Sequence, residues 1–293
     1  MAFTTWLHAV AAFSLAGSIS ASPLDHDQQV LQMGALRNGA IDELKKAEII
    51  PSIIDAFLPS LLVEATWSSS TDSKASALDG QPQAELGNTL RPKSLQDPPT
   101  VTLKLAGSSE DNRHGHDSAA VVSSSKSTTC ALSMKTTYVL ALTDPDAPSR
   151  NDPKWFEFCH WIATGLGAPS SPSHSSHLEE EPCVSSSITF SPTTSIDAAT
   201  VWNGGHKLDD LIEYKPPSPP EKTGKHRYVF LVFVPANGTT EGLNLSKPGD
   251  RQRWGYDDKE VDDNGRVGVG KWARENGLVA VGANFIYAQN KKQ

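Results

Sequence analysis

Asp144 and Asp146 stand two apart in Thr143-Asp-Pro-Asp-Ala-Pro-Ser-Arg150, and that spacing on an extended backbone points both carboxylates to one side. Pro145 and Pro148 stiffen the segment that presents them, and Ala147–Pro148 is a candidate cis bond. The same residues also make an ordinary turn whose aspartates cap backbone amides. Next comes Trp155-Phe-Glu-Phe-Cys-His-Trp161, where a period of two sets Trp155, Glu157, Cys159 and Trp161 on one face and Phe156, Phe158 and His160 on the other. His160 is then polar in an apolar wall and needs a hydrogen-bond partner or a pocket. A third segment, Tyr214 to Phe230, runs through a proline-rich loop and Gly224 into His226-Arg227-Tyr228. A polyproline ligand would account for the prolines, but not for the histidine after them. Two histidines and two carboxylates suit either anion binding, with each histidine made more basic by an aspartate, or metal-assisted or acid–base hydrolysis.

These residues need strand ends to hold them. Val101–Leu105, Thr137–Thr143 and Phe156–Ile162 alternate as strands do. Tyr228–Val234 is continuously apolar, the mark of a central strand covered on both faces, and Val279–Tyr287 reads as a final strand. Helix is expected from Asp25 to about Ile50, where Met33, Leu36, Ala40, Leu44 and Ala47 share a face. A short second helical piece is expected before Pro59, and another helix over Val269–Asn276, closed by Gly277. Strands without regularly interleaved helices exclude a parallel βαβ fold. The pattern predicts a mainly β fold, an antiparallel sandwich or barrel with helices at its ends. Polar, small-residue stretches at 68–82, 107–129 and 168–187 are expected as loops, the last two as insertions carrying the solvated His114, His116, His174 and His177.

The chain has 293 residues with a formal net charge of −8, which argues against a general nucleic-acid binder. An uncharged stretch over Ala9–Ile19, followed by small residues, reads as a secretory leader cut near Ala21, too short to span a bilayer. The mature chain is then expected to be secreted or vacuolar, with a cytoplasmic location as the alternative. Asn237 and Asn244 are glycosylation acceptors on that route. Cys130, Cys159 and Cys183 are too few for a disulfide scaffold and wrongly spaced for zinc. No G-x-S-x-G nucleophile motif occurs.

Taken in order, the D-P-D-A-P turn, the histidine of the next strand and the Gly224-Lys-His-Arg227 strand opening resemble the phosphatidylethanolamine-binding protein family, also called the Raf-kinase-inhibitor-protein family. The likeness runs from about Glu85 to Gln289. It is strongest to the fungal carboxypeptidase Y inhibitor branch through Leu86-Gly-Asn-Thr-Leu90, Lys154–His160, Leu211-Ile-Glu-Tyr214, Trp254-Gly-Tyr256, Gly268–Ala273 and Asn284-Phe-Ile-Tyr287. The resemblance implies an antiparallel β-sandwich of that family's type, laid out as a leader (1–21), a helical segment (22–67) and the binding domain (68–293). It also implies a non-enzymatic binding or regulatory protein, without cofactor or metal. Its pocket for a phosphate, a phospholipid headgroup or another small anion would be lined by Asp144, Asp146, Pro148, His160, Gly224, His226 and Tyr228. Ser218 and Pro216 stand where many relatives carry glycine. The implied partner is a serine carboxypeptidase that the protein inhibits, with peripheral membrane contact through the headgroup. The alternatives are a signalling scaffold acting on kinases and a metal-dependent hydrolase using the Asp/His cluster.

Overall fold

Ala40 and Leu44 recur at helical spacing and are buried on one face of α1 (His26–Lys46), with Ala47 buried just past its end, and Lys45 and Lys46 in the last turn set positive charge at the negative end of the helix dipole. The helix belongs to a computed structural model that describes residues 26–68, 81–105, 136–166, 187–191, 205–238, 243–255 and 267–293. The expected leader and the loop histidines lie outside the described residues. After α1 the chain turns at Glu48–Ile54 rather than forming a second helical piece, and Ile49, Ile50, Ile53 and Ile54 are buried there.

Ten strands follow: β1 (Leu61–Thr66), β2 (Thr89–Leu90), β3 (Thr100–Leu105), β4 (Thr137–Asp144), β5 (Phe158–Leu166), β6 (Ser187–Ser191), β7 (Gly205–Lys207), β8 (Asp209–Ile212), β9 (Lys225–Pro235) and β10 (Leu278–Gln289). Between β9 and β10 lies α2 (Gly268–Glu275), which ends at Gly277 with φ of 64°. β1 falls inside the segment expected to be helical.

The mainly β class holds, but the expected antiparallel sandwich is corrected on two points. The strands form one curled, hydrogen-bonded sheet, ordered β7-β6-β3-β1-β10-β9-β4-β5-β8 with β2 also on β10, rather than two stacked sheets. Three of its pairings, β1–β10, β2–β10 and β6–β7, are parallel. Curling encloses one face of the sheet, and the helices cover the other. The inner cluster contains Trp67, Leu95, Trp161, Phe190, Tyr228 and Phe230. The other face packs Val229, Leu231 and Phe233 against Leu44 of α1 and Trp272 of α2. β9 is apolar at every step from Tyr228 because its alternate side chains enter these two clusters. Each large side chain so buried contributes about 1.5–3 kcal/mol.

Strict alternation along β5 fails at His160. Leu142 pairs with Trp161 while Thr143 pairs with Cys159, so His160 is the extra residue of a β-bulge. Trp161 therefore joins the inner cluster, opposite to Cys159, which is buried as a free thiol against the other face.

Candidate functional site

The ends of β4, β5 and β9 bring Asp144, His160, His226 and Tyr228 to one cavity of about 240 Å³. Each arrives by a different local device. Asp144 closes β4, the bulge aims His160, and alternation along β9 puts His226 and Tyr228 on the inner face. Pro148 lines the mouth, and its bond to Ala147 is cis.

His226 Nδ1 donates to Asp144 Oδ2 at 2.8 Å. His226 Nε2 lies 3.0 Å from Thr223 Oγ1, whose hydroxyl also reaches the Pro220 carbonyl at 2.8 Å. The other Asp144 oxygen accepts the Asp146 amide at 2.8 Å, the capping role that the turn alone suggested. Burial first, and then the Asp144 carboxylate, push the Tyr228 hydroxyl well above its ordinary pKa.

His160 is set up differently. Its Nδ1 lies 2.7 Å from the Lys215 carbonyl, which can only accept, so Nδ1 carries the proton. Burial lowers its pKa to about 4, outweighing the upward pull of Asp144. The ring is therefore neutral near pH 7 and its Nε2 is an acceptor. That corrects the expectation of two anion-donating histidines, because desolvation outweighs the carboxylate. Phe158 and Tyr228 hold the ring from two sides, with centroids at 4.9 and 5.1 Å.

The structure does not bring Asp146 or Gly224 to the cavity wall. Asp146 is turned to the other face of the sheet, where both its oxygens take the Arg227 guanidinium, at 2.6 Å from Nη2 to Oδ1. Arg227 in turn donates to the carbonyls of Ala47 and Glu48 at 2.8 and 3.1 Å, tying α1 to the turn. Gly224 has open space where a Cβ would stand; its φ of 77°, a left-handed turn, is what calls for glycine.

Sequence reading missed several lining residues: Lys215, Gln252, and Pro219 and Pro220 of the proline-rich loop. Lys215 Nζ lies 5.8 Å from the Phe158 ring centroid, at the rim. Gln252 arrives through a bridge with Phe158 from a loop that carries no local signal. Beside the cavity, Glu157 is fully buried. It accepts from the Thr143 hydroxyl at 2.8 Å and the Val269 amide at 3.2 Å, and burial raises its pKa to about 8. Among the described residues no group of three or more His, Cys, Asp or Glu is placed to hold a metal ion.

A model of the phosphatidylethanolamine-binding protein family matches residues 82–286, and the chain belongs to that family. It is similar to a Saccharomyces cerevisiae protein named carboxypeptidase Y inhibitor, 38% identical over 154 residues, 53% of this chain and 60% of that protein. It is also 30% identical over 161 residues to an uncharacterized protein of the same yeast, covering 54% of this chain and 63% of that one. The chain thus spans less than two thirds of either relative. A solved structure described as carboxypeptidase Y inhibitor complexed with the cognate proteinase is similar over 87% of this chain and 97% of that one, at 27% identity and a TM-score of 0.55.

Proposed function

We propose that this protein inhibits a serine carboxypeptidase and that its Asp144–His160–His226 cavity is a separate site for a small anionic group. The observation that carries the first part is the likeness, in sequence and in fold, to the carboxypeptidase Y inhibitor. Inhibition is a matter of protein contacts and asks for no catalytic group in this chain. The test is to titrate the full chain against a purified vacuolar serine carboxypeptidase. Loss of peptidase activity with formation of a stable complex is expected; neither complex nor inhibition would reject the reading.

The geometry supports the anion site through three unlike groups. Lys215 supplies charge at the rim, His226 is oriented by Asp144 so that its Nε2 can exchange Thr223 for a ligand oxygen, and neutral His160 offers an acceptor. An oxyanion carrying one proton, such as a phosphate monoester, presents both acceptors and a donor and so complements the set. About 240 Å³ admits that group and little more, while Trp155, Phe158 and Pro148 offer apolar surface to whatever bears it. Calorimetry with phosphoethanolamine is expected to show His226→Ala weakening the affinity by about tenfold, the loss of one charge-assisted hydrogen bond. Unchanged affinity in that variant removes His226 from the site.

A further inference from the structure

Lys225 is adjacent in sequence to His226, yet it lines a different and larger cavity of about 750 Å³. The wall is Thr89, Leu90, Arg91, Pro92 and Lys93 on one side, and Lys225 with Gln289, Asn290 and Lys291 on the other. Four of these nine residues are cationic and none is acidic. Among the described residues no carboxylate pairs with Arg91, Lys93, Lys225 or Lys291. The neighbouring Lys292 does have one, Glu221 at 2.8 Å.

Convergent like charges repel, and a chain of net charge −8 has acidic side chains in excess to neutralise them. Leaving four unmatched around one concavity is a cost in the empty state that an anion would remove. Lys225 is also positioned, with Nζ 3.2 Å from Thr89 Oγ1 and 5.8 Å from the Tyr287 ring centroid. Part of its side-chain entropy is thereby given up before any ligand arrives. The backbone is held too: Thr89 and Leu90 pair with Tyr287 and Ala288 of β10, and Lys225 pairs with Gln289. The wall is therefore three sheet-anchored segments carrying charged tips.

We propose that this cavity is a second binding site, for a small molecule bearing several clustered phosphate groups. Its volume falls in the range of small-molecule sites. A protein partner would instead need a broad face burying about 800 Å² per side. A single phosphate would leave most of the four charges unbalanced, whereas three or more phosphates on one scaffold would balance them. Arg91 adds a planar fork suited to bidentate phosphate contact, and the lysines act as point charges.

The test is calorimetry on the full chain with inositol hexakisphosphate as the probe. One-to-one binding is expected, weakening steeply as salt is raised. The combined variant Arg91→Ala/Lys93→Ala/Lys291→Ala, whose three side chains are exposed, is expected to raise Kd by about 100-fold with its circular dichroism unchanged. His226→Ala is expected to leave this Kd alone, which separates the site from the Asp144 cavity. The proposal is overturned by absence of binding, by a stoichiometry above one, by an unchanged Kd in the triple variant, or by a loss that follows His226→Ala instead. Binding to phosphoinositide-containing vesicles with none to the soluble probe would likewise overturn it, in favour of a membrane surface.

Discussion

Replacing Glu157 with glutamine is expected to make the protein more stable in alkali and to leave it nearly unchanged in acid. Glu157 is buried with its pKa raised from 4.5 to about 8, chiefly by desolvation. Between those values the unfolded chain has lost this proton and the folded chain keeps it. Folded protein binding more protons means that stability falls as pH rises through the window, by about 1.4 kcal/mol per pH unit. The accumulated cost is under about 1 kcal/mol at pH 5 and roughly 4 kcal/mol at pH 8. Glutamine does not titrate and is nearly isosteric. Its carbonyl accepts the Val269 amide and its NH2 donates to Thr143 Oγ1, which still accepts Trp254 Nε1 at 3.0 Å. Urea unfolding followed by tryptophan fluorescence at pH 5, 6.5 and 8 gives the difference between variant and parent directly. That difference is expected to grow by about 3 kcal/mol from pH 5 to pH 8 in the variant's favour. A flat difference would refute the raised pKa. A variant already several kcal/mol weaker at pH 5 would refute the claim that the neutral acid is what the core holds.

His160 predicts the opposite arm. Its pKa is lowered from 6.5 to about 4, so its contribution is fully present above pH 6.5 and is lost as pH falls to 4, by roughly 3 kcal/mol. In His160→Asn, urea unfolding between pH 3.5 and 6.5 is expected to show that part of the acid slope gone. Gly268→Ala would drive a Cβ into the Glu157 carboxylate at a φ of 66°, whereas Gly277 has a similar φ of 64° and open space. Gly268→Ala is therefore expected to cost about 3 kcal/mol or more and Gly277→Ala about 1 kcal/mol by denaturation; equal losses would show that the backbone, not the clash, decides. Arg227→Met leaves the buried Asp146 carboxylate unpaired and is expected to cost about 3–5 kcal/mol, with faster hydrogen exchange in α1. Adding Asp146→Leu is expected to recover most of that stability in the same assay.

The long strands and both helices were legible because each carries its signal in consecutive residues. β9 shows two buried faces, and α1 places Ala40 and Leu44 on one stripe that continues to Ala47 just past its end. The connectivity was not, because it rests on pairings between distant segments. Nothing in Leu61–Thr66 announces that it lies parallel to β10 at Gly282, more than two hundred residues away. β7 and β8, of three and four residues, are too short to show a period. The bulge at His160 has no sequence mark either. It is the mismatch of one residue between β4 and β5, and it reverses which neighbours Trp161 meets.

The site shows the same division at finer scale. In sequence Asp144 and Asp146 look equivalent, and so do His226 and Arg227 as polar neighbours on one strand. Alternation along β9 sends His226 inward and Arg227 outward, and each takes the aspartate on its own side. One aspartate thus faces the cavity while the other anchors α1 through Arg227 and the carbonyls of Ala47 and Glu48. The two roles meet where the Asp146 amide donates to Asp144. A ligand drawing Asp144 away from that amide would pull on the turn that carries Asp146, and so on the seat of α1. The D-P-D turn is then better understood as a junction between pocket and N-terminal helix than as a doubled set of pocket carboxylates. Its two aspartates have unlike tasks because a strand has two faces.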